Sequence, residues 1–98
     1  MNLTQFKASL SASSKPPEDS SYYLKALWWD GSGNWNKAHD IAQEINDKKG
    51  SWIHAYLHRK EGDLWNADYW YQKAGKKMPL SISLEEEWEE MVAVFLEA

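Results

Sequence analysis

His54 and His58 stand four residues apart. On a helix that spacing puts both imidazoles on one face, one turn apart. Two neutral imidazoles so placed can chelate a divalent metal, given a third ligand. His39, or an Asp or Glu from a neighbouring helix, is the candidate third. Ala55 follows His54, so the His-Glu-x-x-His pattern of zinc proteases is absent. The plainer reading is that both rings pack or hydrogen-bond inside the fold. A pH-sensitive contact is a third reading, because imidazole changes charge near neutrality.

Other chemistry finds less support. Asp30, Ser32, Asn34 and Asn36 alternate like the start of a calcium loop. The sixth position is Trp35 where glycine belongs, and the twelfth is Ile41 where a bidentate glutamate belongs. The Gly31-Ser32-Gly33 run has no following Gly-Lys-Ser/Thr, so it is not a phosphate loop. With no cysteine, disulfides and thiolate zinc sites are excluded. The serines sit at caps and breaks, and no carboxylate is forced into an apolar setting by the sequence alone. Catalysis is therefore not the expected role, and no cofactor is expected.

The elements that must carry these residues are helices. The chain has 98 residues, enough for one domain. A domain this small needs a dense core, which 7 Trp, 5 Tyr and 2 Phe can supply. The net charge of −4 argues against nucleic acid as a partner. No apolar run reaches membrane-spanning length, and the first residues lack the apolar run of a signal peptide. A cytoplasmic protein with no membrane partner is the expectation. Residues 85–98 carry six Glu and no Lys or Arg, which predicts a solvated acidic face or an acidic cap over a basic site.

Period and caps predict six helices and no strand. The first is capped by Thr4 and ends near Leu10, before a Ser/Pro-rich break containing Pro16-Pro17. The others run from about Tyr22 to Asp30, Trp35 to Lys48, Trp52 to Glu61, Leu64 to Lys76, and Ser83 onward. Gly50 is expected to stop the third and Ser51 to cap the fourth. Tyr22, Ala26 and Trp29 are the expected inward stripe of the second, and Leu64 an inward residue of the fifth. The short loops require sequential helices to pack antiparallel. The expected organisation is one domain: a short helix and connector over 1–21, two hairpins over 22–79, and a capping helix over 80–98.

The hairpins repeat. Ala26, Gly33, Asn34, Ala38 and Gln43 align without a gap on Ala55, Gly62, Asp63, Ala67 and Gln72. A 29-residue period marks a solenoid-type unit. The second copy resembles a tetratricopeptide (TPR) repeat through Ala55, Gly62, Ala67, Tyr71, Ala74 and Pro79, all at the family's spacings. The first copy departs from the pattern at Ala42 and Ile45, and the period is shorter than the family's. The chain is also similar to small uncharacterised bacterial proteins carrying the run from His54 to Asp63, a likeness that brings no activity with it.

The resemblance implies an all-α, compact two-repeat TPR-like array whose inner wall comes from the first helix of each hairpin. By register that wall is Tyr23, Leu27, Trp52, Tyr56 and Arg59. An interaction module follows as the first functional expectation: an aromatic groove holding a peptide or helix of an unidentified protein. The same register places His58 at an aromatic packing position. A small-ligand or metal protein using His39, His54 and His58, catalytic or not, is the alternative, and a structural subunit that self-associates is a third. Two repeats are few for independent stability, so either the terminal helices complete the core or a homodimer does.

Overall fold

The computed structural model describes residues 1–97. Six helices and no strand occur among the described residues. They are α1 (Leu3–Ala12), α2 (Tyr22–Gly31), α3 (Trp35–Gln43), α4 (Lys48–Glu61), α5 (Leu64–Lys73) and α6 (Leu84–Glu97). Among the described residues, no helix is long and apolar enough to cross a membrane.

Caps set most of these boundaries, and several differ from expectation: α5, for one, ends at Lys73, not Lys76, with Gly75 at positive φ just beyond. Asn2, not Thr4, caps α1: its side chain accepts from the Gln5 amide while the Gln5 side chain returns the bond to the Asn2 amide. The larger correction lies between α3 and α4. The third helix stops at Gln43, and Asp47 opens α4 by accepting from the Gly50 amide at 2.7 Å. A carboxylate at the N-cap outcompetes the weaker stop signal of Gly50. Lys48 and Lys49 therefore begin α4 instead of ending α3.

Gly50 lies buried in the first turn of α4 because the chain folds tightly back on Ile45. A Cβ there would stand 2.4 Å from the Ile45 carbonyl oxygen and 2.7 Å from the Ile45 Cβ. On an open helix, Gly→Ala gains about 1 kcal/mol. Here the clash with backbone reverses the sign, and Gly50→Ala is expected to cost roughly 1–3 kcal/mol in urea unfolding. A variant as stable as the parent contradicts this packing.

α2 pairs with α3 and α4 with α5, α3 packs on α4, and α6 lies against α1, α2 and α4. Ala26, Ala38, Ala55, Ala67, Tyr71 and Ala74 are all buried, so small residues stand where the paired helices approach. The inward stripe of α2 is Leu24, Leu27 and Trp28 with Ala26; Tyr22 is 69% exposed, and Trp29 is half-buried. Leu64 likewise faces outward. Trp28 outranks Trp29 because its indole NH donates to Ser9 Oγ at 3.1 Å, joining α2 to α1. Trp65 and Tyr69 remain on the outer face of α5.

α6 is held by chemistry as well as area. Glu87 is fully buried and accepts from the Trp52 indole at 3.1 Å, Arg59 Nη1 at 2.8 Å and the Tyr71 hydroxyl at 2.6 Å. Asp30, also buried, accepts from the Tyr56 hydroxyl at 3.1 Å and Lys60 at 2.9 Å. Burial pushes the Tyr56 and Tyr71 hydroxyls upward, with the adjacent carboxylates adding to it, so both phenols stay protonated as donors. The Trp88 indole donates to the Leu27 carbonyl at 2.9 Å.

Candidate metal centre

The wall implied by the repeat register does not form an open groove. Leu27, Trp52 and Tyr56 are buried, and Arg59 is paired to Glu87. Phe95 of α6 stacks on Tyr23 at 5.0 Å and meets Trp52 edge-on at 5.8 Å. The chain's own last helix occupies the surface a peptide would need. The physical reason is legible in the contacts: the wall is apolar with one cation, and α6 offers an apolar stripe with one buried carboxylate.

The three histidines, by contrast, come together. His39 projects from α3, and His54 and His58 from α4. Trp35, one turn before His39, stacks on it at 4.9 Å with 12° between the planes. The Trp35 indole is itself tied to α4 by donating to the Leu57 carbonyl at 2.9 Å. On the other side His54 stacks on Trp70 of α5 at 4.0 Å and 18°. His58 lies over His54 at 4.8 Å and 26°, so His54 is held between two rings. Aromatic walls from α3 and α5 thus fix the rotamers of the imidazoles.

Nε2 of His39 and Nε2 of His54 face each other at 3.0 Å. One ligand-capable nitrogen from each of His39, His54 and His58 falls within 4.8 Å of the other two. Imidazole binds zinc at 2.0–2.1 Å, so two nitrogens on a tetrahedral ion stand about 3.3 Å apart. The His39–His54 spacing is already close to that. His58 Nδ1 lies 3.4 Å from Glu61 Oε1, the carboxylate–histidine arrangement that orients ligand imidazoles. His54 is buried, while His39 and His58 are only partly covered and mark the side from which an ion would enter.

The electrostatics favour neutral rings at His39 and His54. Burial lowers His54 to about 4, with the neighbouring His39 and His58 adding to the effect. Burial, then His58, lowers His39 as well. A metal needs neutral imidazole, so protons compete little for these two ligands at neutral pH. In the metal-free protein the same shift predicts acid sensitivity. Between pH 6.5 and about 4 the unfolded chain protonates at His54 and the folded chain does not. Unfolding therefore takes up a proton, and stability falls as pH falls through that window. The loss attributable to His54 is on the order of 3 kcal/mol, complete near pH 4. Urea midpoints for the parent and His54→Phe check this: the parent's dependence should flatten in the variant.

Trp35, Trp70 and Glu61 belong to the site and escaped the sequence reading as site residues. Two signals were present: Trp35 precedes His39 by four residues, and Glu61 follows His58 by three. Trp70 reaches His54 only through the packing of α5 on α4.

Comparison with protein-family models, with curated proteins and with solved structures finds no match.

Proposed function

We propose that this protein binds one divalent transition metal through His39, His54 and His58. The observation that carries the reading is the convergence of three imidazole nitrogens within 4.8 Å, two of them facing at 3.0 Å. Imidazole-only ligation suits zinc, copper(II), nickel and iron, and disfavours magnesium and calcium. Three neutral ligands leave the ion's charge uncompensated and one tetrahedral position open for water or an anion. The stacked indoles of Trp35 and Trp70 support the same reading, since they hold the imidazoles in place before the ion arrives. The buried alanine register of α2–α3 and α4–α5 supports treating the hairpins as a compact TPR-like scaffold for the centre, with α6 as its cover.

The test is a thermal-shift series on tag-free protein with zinc, nickel, copper(II), magnesium and calcium. An ion at 100 times its dissociation constant adds about 2.7 kcal/mol. For a domain of this size that raises Tm by about 10 °C or more. Zinc, nickel or copper should do so, and magnesium and calcium should not. No shift with any transition metal, together with none found by elemental analysis, refutes the proposal.

A further inference from the structure

Only one ring nitrogen of His54 is used by the cluster. Its Nε2 faces His39, and no protein group is bonded to its Nδ1 among the described residues. The residue is 6% exposed, yet no buried side-chain nitrogen or oxygen lacks a partner among the described residues. Nδ1 must therefore touch open space. The space that His54 borders is a cleft of about 380 Å³ between the end of α3, the first turn of α4, and α5. Lys48, Ser51, Asn46 and Gln43 line it with Trp70 and Lys73. Lys48 and Lys73 form no ion pair among the described residues. The one carboxylate there, Asp47, is already engaged by the Gly50 amide and the Tyr23 hydroxyl.

A metal on Nε2 changes what this cleft presents. Without it, His39 and His54 share a single proton between their facing nitrogens, and His54 Nδ1 can carry either a lone pair or an N–H. With the ion bound, both Nε2 lone pairs are used and the proton of His54 must sit on Nδ1. The ring then becomes an obligatory N–H donor at Nδ1.

We infer that the cleft binds a small oxyanion, which accepts the His54 Nδ1–H and is held by Lys48 and Lys73. This inference rests on the metal proposal and deepens it: the anion is the outer partner of a ligand imidazole, so anion and ion bind cooperatively. Outer partners of metal-bound histidine change affinity about 10–100-fold. Linkage requires that the ion strengthen anion binding by the same factor.

Sulfate is the probe, because it is a poor direct ligand for zinc. The zinc dissociation constant is measured by titration with and without saturating sulfate, with perchlorate balancing ionic strength. About tenfold tighter zinc binding is expected in sulfate, with the His54 Nδ1–H signal moving in NMR. A double variant, Lys48→Ala with Lys73→Ala, should bind zinc as the parent does without sulfate and gain nothing from sulfate. Acetate and methyl phosphate in place of sulfate rank a carboxylate against a phosphate source. If zinc binds and sulfate leaves its affinity unchanged, the cleft inference fails and the metal centre stands. Sulfate tightening that persists in the double variant, or that shifts the visible bands of a cobalt-substituted protein as a direct ligand would, also overturns it. If zinc does not bind at all, the metal proposal and the coupling fall together.

Discussion

Glu87→Ala is expected to destabilise the fold by about 3–5 kcal/mol, the usual consequence of removing one partner of a buried ion pair. The carboxylate satisfies three donors at once, Trp52, Arg59 and Tyr71, from two different helices. The variant leaves the Arg59 guanidinium, only 14% exposed as a side chain, without its counter-ion. It also leaves the buried Tyr71 hydroxyl and Trp52 indole without their acceptor. A domain of this class has roughly 5–15 kcal/mol in total, so the loss takes away much of the stability. The effect should be larger than that of truncating Glu85, which is exposed and pairs only with Lys7. Urea unfolding of both variants checks it. Similar small losses for Glu87→Ala and Glu85→Ala would mean that α6 is not anchored by this carboxylate.

The second large effect concerns the proposed metal centre. Structural zinc sites contribute about 10–16 kcal/mol over four ligands, or on the order of 3 kcal/mol for each. His39→Ala should therefore weaken zinc binding by roughly 100-fold. His39 is the informative choice because it is the one proposed ligand from α3 and is only partly buried, so the variant should keep its fold. His58→Ala should weaken zinc comparably. Glu61→Ala, which removes only the carboxylate beside His58 Nδ1, should cost less. Zinc titrations of the three variants give the order. Equal affinity in His39→Ala and the parent would show that α3 contributes no ligand.

Some of this was legible in the residues and some was not. The helices follow from apolar period and from side-chain caps, and Ser21, Asn34 and Asp63, all good capping residues, open α2, α3 and α5. The boundary near Gly50 is not legible in one dimension, because glycine ending a helix and glycine in a first turn pressed against the preceding turn look alike there. Only the Ile45 carbonyl, 2.4 Å from where a Cβ would stand, separates them. The pairing of His54 with His58 is a matter of helical spacing, but the approach of His39 depends on how α3 packs against α4. Trp52 and Tyr56 are both buried, and α6 packs over Trp52. Its covering by α6 depends on Glu87, whose partners lie 28 to 35 residues away at Arg59 and Trp52, a distance no local pattern reports.

Cobalt(II) titration of the tag-free protein, followed by its visible spectrum, tests the metal centre most directly. Three imidazoles and one further ligand should give the intense bands of a four-coordinate ion, saturating at one equivalent and displaced by zinc. The bands should be absent in His39→Ala. A spectrum no different from hexa-aqua cobalt at every ratio, or bands unchanged in His39→Ala, would contradict a metal centre at His39, His54 and His58.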